Sequence, residues 1–287
     1  MNFNNEAYNI KIVTFEKGFL DVSVDVTFII TMTNSKKRQE SIFKQLQKYV
    51  PTKKVIIVYN NGFKEHQKWK DDILINQSYQ DLTYTNMFIF NYANKENYKN
   101  ILILEDDFIF TETILEKQVQ NDINSFLLTN EIGCYYLGCI PIRIQICDLF
   151  SKHISGNEIY TTHSCIYSKK ARNDLLKLYK ENNTIKHIDS YQPVNSYYYY
   201  KPLCVQFFGP TENRKSWFHI TNNLFVDTIG KLFLYLLCLW GYILGLDNTY
   251  NLQMKYQIHY FTIIILHILF YLYGSLYIFN KLKIMIS

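Results

Sequence analysis

Three short apolar runs in the first hundred residues set the frame of this chain. Residues 24–31 (VDVTFIIT) are β-branched and apolar, and Thr33, Asn34 and Ser35 follow as cap candidates before Ile42, Phe43, Leu46 and Tyr49 recur at helical spacing. Residues 55–59 (VIIVY) predict a second strand, closed by Asn60-Asn61-Gly62, and residues 101–104 (ILIL) a third. Tyr84, Met87, Phe88 and Tyr92 predict a helix before the third strand. Thr111 is placed to cap another that buries Ile114, Leu115, Val119, Phe126 and Leu127, and Ser168 to cap one over 169–179 with Leu175, Leu176 and Tyr179 inward. Continuous apolar strands alternating with helices predict an open α/β sheet of parallel strands, covered on both faces. Ligands of such sheets bind beyond the carboxyl ends of the strands, where Asn60-Asn61-Gly62 and Glu105-Asp106-Asp107 fall.

The texture changes after Asn223. Stretches 224–246 and 258–279 are nearly continuous in Leu, Ile, Phe and Tyr. Each is long enough to cross about 30 Å of hydrocarbon at about 1.5 Å per residue. The sequence therefore predicts a globular domain over 1–220 and a transmembrane helical hairpin over 221–287. Arg214 and Lys215 precede the pair, Lys281 and Lys283 follow it, Lys231 lies near the start of the first stretch, and only Lys255 lies between the two. Basic residues favour the cytoplasmic side, so the expectation is a multi-pass membrane protein with its globular domain in the cytoplasm.

Composition narrows the partners. With 30 Lys+Arg against 25 Asp+Glu the net charge is +5, too little basic excess for a nucleic-acid binder. The six cysteines (134, 139, 147, 165, 204 and 238) are scattered without metal-ligand spacing and read as reduced thiols. Residues 1–20 lack the apolar core of a signal peptide. The spacing Gly133 to Gly138 is that of a phosphate loop, but Cys139-Ile140 replaces its Lys-Ser/Thr. The run Tyr197 to Tyr200 reads as half-buried strand or loop, or as a surface for sugar rings.

The acidic triplet is where chemistry enters. Three carboxylates at one strand end repel one another unless a cation sits among them. Oxygen ligands suit Mg²⁺ or Mn²⁺, which take one or two protein carboxylates and fill the remaining positions with water and phosphate oxygens. Glu105 and Asp107 are the expected metal ligands in this DxD-like motif.

Four motifs in order then resemble glycosyltransferase family 25, which includes lipooligosaccharide and collagen galactosyltransferases. They are Ile30-Thr31-Met32-Thr33-Asn34-Ser35-Lys36-Lys37-Arg38, Leu102-Ile103-Leu104-Glu105-Asp106-Asp107, Cys165-Ile166-Tyr167-Ser168-Lys169-Lys170-Ala171 with Ile188-Asp189, and Pro202-Leu203-Cys204-Val205-Gln206. Thr31 stands where the family has asparagine, and Thr85-Asn86 lie near the place of its Gly-Cys-x-x-Ser-His element. The resemblance implies a GT-A-type, Rossmann-like sheet and metal-dependent, inverting transfer of a hexose from a nucleotide sugar, of the UDP class, to a glycan, lipid or protein hydroxyl. It implies donor contacts at Thr31, Arg38, Glu105 and Asp106, and a base at Asp189, while the strand-end position of Asn60 adds it as a further expected donor contact. His163 and His187, near the matched segments, are further metal candidates. Two other classes stand beside it: a metal-dependent phosphohydrolase, which would use the same carboxylates, and a catalytically inactive, membrane-tethered scaffold of the same fold.

The tail makes a direct prediction. The full chain should resist extraction by alkali or salt and require detergent, whereas a chain ending near Ile220 should be soluble and folded; an aggregated truncation would mean that the tail packs into the domain instead of a bilayer.

Overall fold

In the computed structural model, residues 3, 5–141, 151–156, 159–191, 193–206, 265–266 and 268–279 are described. In chain order the elements are β1 (Tyr8–Thr14), β2 (Val26–Met32), α1 (Lys36–Lys48), β3 (Lys54–Asn60), β4 (Trp69–Lys70), β5 (Ile73–Leu74), α2 (Ser78–Lys95), β6 (Asn100–Glu105) and β7 (Phe108–Phe110). They continue with α3 (Lys117–Thr129), β8 (Cys134–Tyr136), β9 (Ile140–Pro141), β10 (His153–Ser155), β11 (Ile159–Tyr160), β12 (Ser164–Ser168), α4 (Lys169–Glu181), β13 (Ser196–Tyr199) and β14 (Cys204–Gln206). The three apolar runs become β2, β3 and β6, adjacent and parallel at the heart of an eight-stranded sheet of order β1-β3-β2-β6-β12-β8-β13-β10.

Each central strand is buried on both faces, which is why its sequence is continuously apolar instead of alternating. Phe28, Ile56, Val58, Ile101 and Ile103 face one core, closed by Tyr84, Met87, Phe88 and Ile89 of α2 and Leu175 and Tyr179 of α4. Ile29, Val55, Ile57, Leu102 and Leu104 face the other, closed by Ile42 and Leu46 of α1 and Val119, Ile123 and Leu127 of α3. Ser168 caps α4 as expected, its Oγ accepting from the Ala171 amide at 3.2 Å.

Three expectations are corrected. The sheet is mixed: β12 lies antiparallel between β6 and β8, and β1 and β10 are antiparallel at its two edges. Thr111 makes no side-chain cap; its hydroxyl donates to the Pro202 carbonyl at 3.0 Å, tying this turn to β14. A 3-10 turn over Glu112–Leu115 separates it from α3 and leaves Leu115 exposed, because the change of helical pitch rotates Leu115 off the buried stripe. The run at Tyr197 to Tyr200 is β13 and the residue after it, with Tyr198 and Tyr199 buried.

The stretch 224–246 lies outside the described residues, as do 258–264 and 267. Residues 265–266 and 268–279 are helical, with large apolar side chains such as Leu269, Phe270, Leu272 and Leu276 exposed. Among the described residues no helix is long and apolar enough to cross a membrane. Cys134, Cys165 and Cys204 are buried free thiols, and Cys139 is buried as well.

Beyond the end of β3 a buried ion pair anchors the loop. The Lys68 ammonium is fully buried, paired with Asp81 and with the Asn60 side-chain oxygen, and lies 4.8 Å from the centre of the Tyr8 ring. Burial pushes the Lys68 pKa down, with Asp81 opposing that shift. Asp81 also accepts from the Phe63 amide at 3.1 Å, and Asn60 from the Gly62 amide at 2.7 Å, so the pair holds the whole 60–63 turn. Removing one partner strands the other charge in the interior. Asp81→Ala should therefore lower unfolding free energy by about 3–5 kcal/mol in urea titration, and a loss below about 1 kcal/mol would show that Lys68 finds water instead.

Candidate active site

The parallel register that sets Ile30 beside Glu105 carries Thr31 to the level of Asp106 as the two strands end. There the Thr31 hydroxyl donates to one Asp106 oxygen at 2.9 Å, and the Arg38 guanidinium, from the first turn of α1, pairs with the other. Arg38 also lies 3.6 Å from Asp107. Antiparallel pairing of β14 with β7 sets Gln206 opposite Phe108, and its side-chain amide donates to Asp107 at 3.0 Å. On the other flank the Glu105 amide donates to the His163 carbonyl at 2.9 Å, which fixes the segment leading into β12. Thr162, just before it, donates to Asp189 at 2.8 Å and lies 3.4 Å from Glu105. Asp189 stands in a 3-10 turn, Ile188–Ser190.

The structure thus gathers Thr31, Arg38, Glu105, Asp106, Asp107 and Asp189 at one end of the sheet. Asn60 is not among them: its side chain belongs to the Lys68–Asp81 network, with a further bond to Thr85 at 3.0 Å. Thr85 and Asn86 are buried in α2, each bonded to a carbonyl of its own helix. His187 stacks on Tyr79 at 4.0 Å between ring centroids. His163 is buried, and neither ring nitrogen completes a hydrogen bond. Thr162 and Gln206 were not among the expected site residues. Gln206 closes a motif already noted, whereas Thr162 has no signal in the chain, since only the pairing of β12 with β6 brings it here.

Burial and mutual repulsion work against ionisation of the carboxyls in this cluster. The Glu105 carboxyl is pushed well above its usual range by burial and then by Asp107, Asp189 and Asp106, with Thr162 opposing. Asp107 is raised to about 6 by burial and by Asp106, against Arg38 and Gln206. Asp189 is raised by burial, against Thr162 and His187. Burial works against charge on Arg38, but Asp106 and Asp107 outweigh it and hold the guanidinium more firmly protonated than usual. Burial lowers His187, and it takes His163 down to about 4.

Four carboxyl groups share one guanidinium, so the cluster favours a further cation. Asp107 Oδ1 is buried without a hydrogen-bond partner, and oxygen donors match a hard divalent ion. Among the described residues no group of three or more His, Cys, Asp or Glu is arranged to hold a metal.

No protein family and no curated protein matches the chain by sequence. Among solved structures, some are similar to it in part. One is a glycosyltransferase involved in the glycosylation of the major capsid of PBCV-1, with 14% identity over 66% of this chain and 96% of that one, at a TM-score of 0.36. Another is a mannose-1-phosphate geranyltransferase from Thermus thermophilus, with 8% identity over 61% of this chain and 72% of that one, at a TM-score of 0.33. Likenesses this loose assign neither family nor activity, and any assignment rests on the site itself.

The raised carboxyl pKa values predict a pH dependence of stability. Unfolded carboxyls titrate near about 4, and Asp107 in the folded chain near about 6. Between these values the folded state holds protons that the unfolded state has released, so stability falls as pH rises through the interval. Glu105 and Asp189 act in the same direction. In EDTA the melting temperature should fall from pH 5 to pH 8, and less steeply in Glu105→Gln; an equal slope in that variant would remove Glu105 from the account.

Proposed function

We propose that this chain is a metal-dependent glycosyltransferase of GT-A type, related to family 25, that moves a hexose from a UDP-sugar to an acceptor hydroxyl with inversion. The carrying observation is the gathering of Glu105, Asp107 and Asp189 at one end of a sheet, with a buried Asp107 oxygen left without a partner. The exposed apolar helical residues of 268–279 and the apolar stretch 224–246 support attachment to a bilayer. The basic residues flanking the pair support a cytoplasmic domain.

Glu105 and Asp107 would hold Mn²⁺ or Mg²⁺, with donor phosphate and water completing its shell; when bound, the ion neutralises charge on the departing diphosphate. Arg38 and Thr31 engage both oxygens of Asp106. They hold that carboxylate out of the way and leave Glu105 and Asp107 for the ion. The Arg38 side chain is only partly buried, and its guanidinium would also engage a donor phosphate. Asp189, held through Thr162 near Glu105, takes the proton of the acceptor hydroxyl. As that proton leaves, the acceptor oxygen bonds to the anomeric carbon, the bond from that carbon to the diphosphate breaks, and UDP departs with the electron pair.

The deciding measurement is UDP release by the full chain in detergent, from UDP-galactose and UDP-glucose, with Mn²⁺ and with EDTA. Release should require the metal, and Asp189→Asn should reduce turnover about 10² to 10⁴-fold while donor affinity holds. Loss of donor affinity would move Asp189 to the donor side, and phosphate release from simple esters would make the protein a phosphohydrolase.

A further inference from the structure

The short turn between β11 and β12 is shaped against the preferences of its own residues. Thr161 adopts φ 73°, in the left-handed region where a β-branched side chain crowds its own backbone. Its hydroxyl is buried and makes no hydrogen bond, so this residue recovers nothing locally for the strain. A glycine or asparagine would hold the same turn more easily. Strain of this kind persists where surrounding structure enforces it, and here the enforcement is visible: the Glu105 amide bonds to the His163 carbonyl two residues on. What the turn delivers is the next side chain, Thr162, set between two carboxyl groups.

A threonine hydroxyl carries one hydrogen. It points to Asp189 at 2.8 Å, while Glu105 stands off at 3.4 Å. Thr162 therefore serves the two carboxyls unequally: it holds Asp189 through a close donated bond and makes only a long contact to Glu105. We propose that Thr162 is the positioning residue of the transfer step, aiming Asp189 at the acceptor hydroxyl, and that the strained backbone of Thr161 exists to place it. The assignment rests on the glycosyltransferase reading and names how its base is held. Thr162 takes no part in bond making; Asp189 accepts the acceptor proton as the new carbon–oxygen bond forms and the bond to UDP breaks.

The test uses the full chain in detergent with UDP-galactose, UDP-glucose and Mn²⁺, water or an added sugar hydroxyl serving as acceptor. Thr162→Val keeps the shape and removes the hydroxyl; Thr162→Ser keeps the hydroxyl. The expected result is a turnover about 10 to 100-fold lower in the valine variant with donor KM unchanged, near-normal turnover in the serine variant, and no further loss when Thr162→Val is added to Asp189→Asn. Thermal melting of each variant establishes that it is folded. Unchanged turnover in a folded Thr162→Val, an equal loss in Thr162→Ser, a rise in donor KM in place of a fall in turnover, or full additivity with Asp189→Asn would each overturn the role of Thr162 while the glycosyltransferase reading stood. Absence of UDP release by the unsubstituted protein would overturn that reading and this assignment with it.

Discussion

The pairing of Arg38 with Asp106 is the constraint around which the candidate site is arranged. Glu105, Asp106 and Asp107 follow one another at the end of a buried strand, where ionised neighbours repel strongly and water is scarce. The guanidinium occupies one Asp106 oxygen and approaches Asp107, while the Thr31 hydroxyl takes the other Asp106 oxygen. This joins the ends of β2 and β6 to the start of α1. It also sorts the triplet: the middle carboxylate is engaged on both oxygens, and its two neighbours are left for other work.

The sheet supplies what the triplet lacks. Had β6 been an edge, Glu105 would face solvent and the problem of its charge would largely vanish. Instead β12 covers it, and the same antiparallel pairing carries Thr162 and, through it, Asp189 to the site. On the far side β14 returns along β7 and brings Gln206 to Asp107. These contacts join residues far apart in the chain, so the site depends on both β12 of the central sheet and the separate β7–β14 ribbon. The Lys68–Asp81 pair plays a comparable part beyond β3, where it fixes the turn after Asn60 and absorbs a side chain that the strand-end position alone would have offered to a ligand.

Much of the architecture was legible in the chain because burial on both faces leaves a plain signature. The runs at 55–59 and 101–104 could not be amphipathic surface elements, and they fall within β3 and β6. The Ser168 cap was equally readable, since a serine before a helical pattern has one favourable use. The short strands β8 and β10 were not. Three residues carry too little periodicity, and these owe their extended form to neighbours in the sheet. The helix after Thr111 was misread for a related reason: its hydroxyl looked like a cap, but a carbonyl of the distant Pro202 claimed it.

At the site the division is sharper. Local sequence determined the acidic triplet and its place after an apolar strand, because four apolar residues followed by three carboxylates must pass from core to ligand-accessible edge. It also determined that Arg38 lies near the start of the helix following β2. Tertiary structure alone decided that Arg38 neutralises Asp106, that Asn60 turns inward to Lys68, and that Thr162 stands between Glu105 and Asp189. The physical reason is that a hydrogen bond between side chains depends on register and approach across the sheet, to within a few tenths of an ångström. A sequence states which groups can donate and accept, and only the packed fold states which of them meet.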